Sequence, residues 1–288
     1  MNPRLATSRQ PIRPNIQPCR YFDSRGPQQR WRPAFTQTDV RATQQLPVID
    51  TDKLHLVSWN IDFSTPAPTE RMAEALKYLN KLQNEHDDRN GPPTRDALFV
   101  DIKLQSSIIR LCNTHLESLA SGTPKRAAQL KLASEFMHGT AGSSAPNDSG
   151  DANATDGLFQ VPNAAILAGD LNAFAPEDVD LPSKCDLNDA YLALGGTEGS
   201  EEGFTWGYQC PDWMDGQFPC GRLDKVLFCG NIEALSLAKT GQGLKTRIDV
   251  RMPEECSGPP SDDDFEDIWV TDHFGLAVDF KLMQSDSV

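Results

Sequence analysis

The sequence lacks the signals of membrane insertion and of cysteine-based chemistry. No apolar run in its 288 residues approaches the roughly 20 residues that cross a bilayer. The first residues do not form the apolar stretch of a secretory signal. The seven cysteines are scattered without a CxxC pair, which argues against a zinc site or a disulfide framework. We therefore expect reduced thiols and an intracellular protein, in the nucleus or cytoplasm rather than the mitochondrion.

Two common catalytic signatures are missing as well. There is no G-x-x-x-x-G-K-[ST] pattern, so no nucleoside triphosphate site is expected. There is no G-x-S-x-G pattern either, which argues against a serine esterase. The chemistry must therefore be sought among other polar residues.

Positive charge is scarce except near the N-terminus. The net charge is −14, although residues 1–45 hold eight Arg and two Asp, a net of +6, and the remainder carries −20. An acidic domain does not attract nucleic acid over its whole surface, so a polyanionic substrate would need a local positive centre such as a bound metal ion. Residues 1–50 are rich in Arg, Pro and Gln without periodicity, and we predict a disordered basic tail.

Amphipathic helices alternate with apolar strands in the rest of the chain, which predicts an α/β domain over residues 51–283. The crowding of strands towards the C-terminus predicts two packed mixed sheets with helices outside, a four-layer α/β/β/α sandwich. A mobile loop at 140–160 and an acidic insertion at 253–267 are expected within it. The predicted helices are 68–83 and 124–139, and the predicted strands are 53–63, 97–104, 108–116, 163–174, 221–230 and 268–280.

Polar residues follow the apolar strands at four places, and the ends of strands are where open α/β sheets place their sites. Each place alone has an ordinary structural explanation, because Asp-x-Asn is a common turn and Asp-His is often a surface pair. Four coincidences favour a shared site. The residues are Asn60 and Asp62, His115, Asp170 and Asn172, and Asp272 and His273.

These residues are chemically coherent for metal-assisted phosphoryl transfer to water. Asp62 and Asp272 offer hard oxygen ligands suited to Mg²⁺, with Mn²⁺ as an alternative. Asp170 could polarise a water molecule, and Asn172 could hold that water or a phosphate oxygen. The two histidines could supply donors or positive charge for the developing phosphorane.

Five short motifs carry a family resemblance: "SWNID", "NTHLES", "GDLNAF", "GRLDKVLF" and "VTDHFGL". Their order is similar to that of the endonuclease/exonuclease/phosphatase superfamily, from about Lys53 to Phe280. "THLES" and the later "FTWG" resemble in particular the tyrosyl-DNA phosphodiesterase 2-like branch. The resemblance implies a DNase I-like sandwich and a metal-dependent phosphodiesterase, with DNA repair at 5′-tyrosyl ends as one role.

The resemblance also implies a role for each site residue. Asp224 would orient His273 through a hydrogen bond. Without the resemblance, Trp206 would be interpreted as a hydrophobic anchor and Ser118 as a loop cap. The implied catalytic residues are His115, Asp170, Asn172, Asp224 and His273, the metal-side residues are Asn60, Asp62 and Asp272, and the phosphate- or substrate-binding residues are Ser118 and Trp206.

One motif of the superfamily has no counterpart here. It is Leu-Gln-Glu at the end of a strand, and its glutamate is the principal metal ligand in the family. The polar stretch "NEHDDRNGPPTRD" that follows the helix at 68–83 cannot be a buried strand. We predict that one strand and its adjoining elements are absent, as a removed exon would cause, and that sheet edges are left uncovered. Glu85 superficially resembles the missing ligand but fits a solvated charge cluster.

Three functions therefore stay open. The first is a Mg²⁺-dependent hydrolase acting on nucleic-acid ends, including 5′-tyrosyl-DNA bonds, with the basic tail holding DNA. The second is a phosphatase or phosphodiesterase acting on a small-molecule or lipid phosphate. The third is a catalytically impaired binding or scaffold protein, because the metal-ligand glutamate is missing. A monomer is expected in each case.

Overall fold

The computed structural model divides into two compact units, residues Met1–Val48 with Asp87–Pro92, and Ile49–His86 with Pro93–Val288. In the first unit, strand β1 (Arg20–Asp23) pairs antiparallel with β2 (Arg30–Pro33). The tail predicted to be disordered thus contains a short strand pair, and the rest of residues 1–50 lies outside the described chain. The structure describes residues 20–23, 30–33, 52–61, 67–82, 97–104, 107–140, 161–211, 216–251 and 260–283.

The larger sheet of the second unit has five strands in the order β4–β5–β6–β8–β7. Strand β5 runs parallel to β6, while the other neighbours are antiparallel. The seven residues of β6 are all buried, which explains the continuous apolar run of that segment. The strands are β4 (Ala97–Leu104), β5 (Ser107–Thr114), β6 (Ala164–Asp170), β7 (Asn188–Asp189) and β8 (Asp224–Gly230).

The smaller sheet has three antiparallel strands, with β12 (Gly275–Leu282) between β3 (Lys53–Ser58) and β9 (Ile232–Thr240). The two sheets pack face to face around an apolar cluster. Within it, the rings of Phe228 and Phe280 meet edge to face at 5.5 Å. This interior fixes the two sheets against each other and confirms the predicted α/β class with two packed sheets.

Helices lie on the outside of the sheets. The second long helix places Leu130, Ala133 and Met137 against the outer face of the five-stranded sheet. Within the described parts of the chain, no helix is long and apolar enough to cross a membrane. The helices are α1 (Pro68–Leu82), α2 (Thr123–Met137), α3 (Leu181–Lys184) and α4 (Ala190–Ala193), with 3₁₀ turns at Ala120–Gly122, Pro176–Asp178, Glu201–Gly203 and Asp262–Asp264.

A separate two-stranded ribbon precedes β12. Strand β10 (Lys245–Asp249) pairs antiparallel with β11 (Phe265–Trp269) and contacts α1. Strand β11 begins inside the acidic insertion predicted at 253–267, whose residues up to 259 lie outside the described chain. The sequence did not reveal β9 or β10: the alternation of exposure along β9 is broken at Leu235 and Ser236, and β10, whose exposure alternates, is only five residues long.

The five-stranded sheet extends beyond its smaller partner. Phe99 of β4 packs against α2, so its neighbours Leu98 and Val100 point towards the inter-sheet face, where they remain 60% and 36% exposed. Among the described strands, β3 pairs only with β12. Uncovered apolar side chains and an open strand edge agree with the predicted absence of one strand.

Candidate active site

The polar ends of strands from both sheets meet at one edge of the sandwich. Asp170 ends β6 and lies directly opposite Asp224, the first residue of β8. His115 follows β5 directly, and the backbone N–H of Leu116 donates to the carbonyl of Asp170 at 2.9 Å. Gly169 makes this close approach possible, because a Cβ there would lie 1.9 Å from the Thr114 carbonyl oxygen.

Asp170 lies at the centre of the cluster and is buried. The side-chain amide of Asn60 donates to Asp170 Oδ2 at 3.0 Å, and the backbone N–H of Asn172 donates to Oδ1 at 2.8 Å. The Nε2 atoms of His115 and His273 lie 3.6 Å and 3.7 Å from Oδ2. The structure therefore brings together residues that follow β3 and β5, the last residue of β6 and the turn before β12.

The environment of Asp170 favours its protonated form. Burial raises the pKa of this carboxyl, and the negative charge of Asp224 raises it further. The two histidines and the hydrogen bond from Asn172 oppose the shift without cancelling it. A carboxylate whose pKa is raised is a stronger base, which suits a group that accepts a proton from water.

His273 is held by an aspartate, in the arrangement that the sequence resemblance implies. Its Nδ1 lies 2.7 Å from Asp224 Oδ2. Burial works to lower the pKa of His273, but the charge and hydrogen bond of Asp224, with the nearby Asp170 and Asp272, raise it to about 10. His273 is therefore an imidazolium at neutral pH, with Nε2 directed towards Asp170. Trp59 Nε1 also donates to the backbone carbonyl of His273 at 3.0 Å.

Trp206 fixes the carboxylate beside His273. Its indole Nε1 donates to Asp272 Oδ2 at 2.8 Å, while Asp272 Oδ1 lies 3.9 Å from His273 Nε2. The backbone of Trp206 forms isolated bridges with Gly221 and His273. The residue was predicted to line the phosphate pocket, and the described geometry shows it orienting Asp272.

Asn172 connects the two loops that flank Asp170. Its side-chain amide donates to the Leu116 carbonyl at 3.0 Å, and its backbone has a positive φ of 48°. The described contacts of Asn172 thus position Asp170 and the His115 loop, and its predicted hold on water or phosphate stays a prediction. Ser118 lies half-buried in the same loop. Asp62 lies outside the described residues.

Arg126 is a site-supporting residue that the sequence reasoning missed. Its guanidinium is fully buried and donates to the carbonyls of Glu117 at 3.1 Å and Leu119 at 2.9 Å, so it fixes the loop that follows His115. Asp178 balances its charge at 2.8 Å. The buried role of Arg126 could have been predicted from its position, because an arginine four residues before Leu130 lies on the apolar face of α2.

The donor atoms fit a hard divalent cation on one side of the cluster. Thr271 Oγ1 donates to the Asn60 carbonyl at 2.7 Å, which ties the turn of Asn60 to that of Asp272. Asn60 uses its amide nitrogen on Asp170, which leaves the amide oxygen for a cation. Mg²⁺ commonly takes one or two carboxylates and keeps several waters, so Asn60 and Asp272 are suitable in kind.

A second group of potential metal ligands differs from the predicted set. Among the described residues, ligand atoms of Asp170, Asp224 and His273 all lie within 4.8 Å of one another. However, His273 Nδ1 is engaged with Asp224, and its raised pKa keeps the ring protonated. This trio is therefore better suited to proton transfer than to metal coordination.

Two facing sheets with this cluster at their strand ends define the class of fold, an α/β sandwich with its polar site at one edge. Solved structures of TDP2 share this fold. Humanized D. rerio TDP2 with 14 mutations is 16% identical, with a TM-score of 0.50 over 80% of this chain and 100% of that chain. TDP2 from C. elegans is 17% identical, with a TM-score of 0.51 over 80% of this chain and 75% of that chain. No family model matches the sequence, and no curated protein matches it significantly.

Proposed function

We propose that this protein is a divalent-metal-dependent phosphodiester hydrolase. The observation that carries the proposal is a buried aspartate, Asp170, faced by the Nε2 atoms of two histidines, one of which is anchored by Asp224. A base and two donors around one small space are what hydrolysis of a phosphodiester needs. Structural likeness to TDP2 supports the same class of reaction.

Each group has one task in the proposed reaction. Asp170, whose pKa is raised, aligns a water molecule and takes its proton as the water oxygen bonds to phosphorus. The bond from phosphorus to the leaving oxygen breaks in the same reaction, and that oxygen leaves as an alkoxide or phenolate that solvent protonates. The His273 imidazolium donates to a non-bridging oxygen as negative charge develops there. His115, with 44% of its side chain exposed, binds the phosphate at the mouth of the site. A divalent cation held by Asn60 and Asp272 would neutralise phosphate charge.

We propose that the substrate is a nucleic-acid end, and 5′-tyrosyl phosphodiester bonds are the leading candidate. The support is the "THLES" and "FTWG" motifs and the likeness to TDP2 structures. The net charge of −20 outside residues 1–45 opposes DNA binding over the whole surface, so the basic N-terminal segment would hold the strand. We propose the nucleus or cytoplasm as the compartment of such a role.

A second candidate is a catalytically impaired binding or scaffold protein. The specific observation in its favour is the lack of the Leu-Gln-Glu motif from the sequence, together with the open edge of β3 among the described strands. The site would then keep its geometry and lose cation affinity. This candidate predicts a cooperatively folded protein without hydrolytic activity.

One assay separates the candidates. The full chain is offered a 5′-tyrosyl oligonucleotide, an abasic duplex and bis-p-nitrophenyl phosphate, each with Mg²⁺, Mn²⁺ or EDTA. Metal-dependent cleavage of the first substrate alone, abolished by Asp170→Asn and kept by the surface control Asp180→Asn, supports the proposal. Cleavage of bis-p-nitrophenyl phosphate alone selects a small-molecule phosphodiesterase. No cleavage of any substrate by a cooperatively melting protein selects the scaffold.

A further inference from the structure

Thr205 places a buried hydroxyl against the Asp224–His273 pair. The residue is 1% exposed and lies in the segment that precedes β8. Its Oγ1 donates to Asp224 Oδ2 at 2.7 Å, and that same oxygen lies 2.7 Å from His273 Nδ1. A single carboxylate oxygen therefore receives one hydrogen bond from the hydroxyl and one from the imidazole.

The direction of the Thr205 hydroxyl is fixed by its other two contacts. The backbone N–H of Leu223 donates to Oγ1 at 3.2 Å, and that of Asp224 donates at 3.0 Å. A hydroxyl has two acceptor lone pairs and one proton. Because both lone pairs are used by N–H donors, the proton is left for the carboxylate of Asp224. The local backbone thus determines which way the hydroxyl points.

The backbone of Thr205 links the two segments that hold the pair. Its N–H donates to the Gly221 carbonyl at 2.9 Å, and its carbonyl accepts from the N–H of Phe274, directly after His273, at 2.7 Å. A change confined to the side chain would keep these backbone bonds. The contribution of the hydroxyl can therefore be separated from that of the loop.

We propose that Thr205 is a positioning residue that sets the rotamer of Asp224 and, through it, the orientation of the His273 ring towards Asp170. Its catalytic consequence rests on the proposed hydrolase function, whereas its effect on the pair does not. If the Asp224 side chain could rotate freely, its carboxylate could present either oxygen to the His273 ring or turn away from it. With Oδ2 held by two donors, the imidazole has one acceptor position, and Nε2 is aimed at Asp170.

The test compares Thr205→Val, which keeps the shape without the hydroxyl, with Thr205→Ser, which keeps the hydroxyl. Thr240→Val is the matched control, because Thr240 is also buried and its hydroxyl donates to the Tyr78 hydroxyl at 3.0 Å instead. The first readout is the NMR signal of the proton on His273 Nδ1 in the protein without added metal or substrate. We expect protection from exchange in wild type, Thr205→Ser and Thr240→Val, and loss of protection in Thr205→Val.

The second readout is turnover of whichever substrate the wild type cleaves. Removing an outer hydrogen-bond partner of a metal ligand commonly costs roughly 10- to 100-fold in activity, and we expect a loss of that order in kcat for Thr205→Val, with KM little changed. Thr205→Ser should restore most of kcat. Retention of both the protected proton and kcat in Thr205→Val overturns the proposal. If the wild type cleaves nothing, the proposed hydrolase function fails, and the NMR comparison still decides the role of Thr205.

A third variant covers the case in which Thr205→Val does not fold. Thr205→Cys offers a weaker donor of similar size, so it should protect the His273 proton less than Thr205→Ser does. Equal protection in the serine and cysteine variants would show that the hydroxyl does not position the pair.

Discussion

Replacing Asp178 with asparagine tests whether the buried ion pair beneath the His115 loop sustains the fold. The side chains of Arg126 and Asp178 are 0% and 1% exposed. Arg126 Nε and Nη2 donate to the carboxylate of Asp178 at 2.8 to 3.1 Å, and Nη1 donates to two carbonyls of the loop. Asp178→Asn leaves the guanidinium buried without a counter-charge.

The expected cost is large relative to the stability of a domain. Removing one partner of a buried ion pair costs about 3–5 kcal/mol, and domains are stable by only about 5–15 kcal/mol. Asparagine keeps a carbonyl that can accept from Arg126, so we expect a loss of about 3 kcal/mol, the lower end of that range. The double variant Arg126→Met with Asp178→Leu should lose less than the sum of the two single losses, because no unpaired charge remains.

Urea unfolding followed by circular dichroism measures these losses, with a double-mutant cycle for the pair. Asp180→Asn is the matched control, because Asp180 pairs with Lys184 on the surface, where both side chains are more than half exposed. Such a surface change should leave the unfolding free energy almost unchanged. An equal cost for Asp178→Asn and Asp180→Asn, or strict additivity in the cycle, would refute the reasoning.

Four further results are expected. Burial works to lower the pKa of His273, but Asp224 raises it from 6.5 to about 10, so protonation of His273 favours the folded state, fully so below pH 6.5. The unfolding free energy of wild type relative to His273→Gln should therefore fall as the pH rises from about 6.5 to 10. A difference that stays constant over this range would contradict the prediction. Calorimetric titration with Mg²⁺ should show binding weaker than micromolar that Asp272→Asn abolishes, and tight micromolar binding would count against the absence of a ligand. Deleting residues 1–45, which carry a net charge of +6, should weaken oligonucleotide binding and make the affinity less dependent on salt concentration, as measured by fluorescence anisotropy. An unchanged dependence of affinity on salt would exclude a tail that holds DNA. Leu98→Lys combined with Val100→Thr should change the melting temperature little, because both side chains are exposed, and a large fall in melting temperature would show that this apolar face is covered in solution.

The elements with regular patterns were predictable from sequence, and those defined by distant contacts were not. Helix α1 was predicted at 68–83 and is observed at Pro68–Leu82, because apolar residues recur on one face and proline begins it. The strand-end polar residues could be grouped because strand ends gather at sheet edges. The roles of Thr205 and Arg126 were not predicted, because nothing in the neighbouring sequence shows that their partners Asp224 and Asp178 lie 19 and 52 residues further along the chain. Thr205 is part of the motif "FTWG", but from that motif only Trp206 was predicted as a site residue.

Among the described residues, the two sides of the candidate site differ in completeness, and the predicted absence of one strand would account for the difference. On the proton-transfer side, Asp170, Asp224 and His273 are each held by several hydrogen bonds within the interior of the five-stranded sheet and the turn before β12. On the cation side, the described oxygen donors are Asn60 and Asp272, and Asn60 lies two residues after the end of β3. The open edge of the smaller sheet is also that of β3. A strand added parallel to that edge would end beside Asn60, where a further carboxylate would reach a cation held there. If a strand is absent at this edge, as the sequence predicts, its loss would lower cation affinity and uncover Leu98 and Val100 together, while the buried cluster that joins the two sheets would keep the fold.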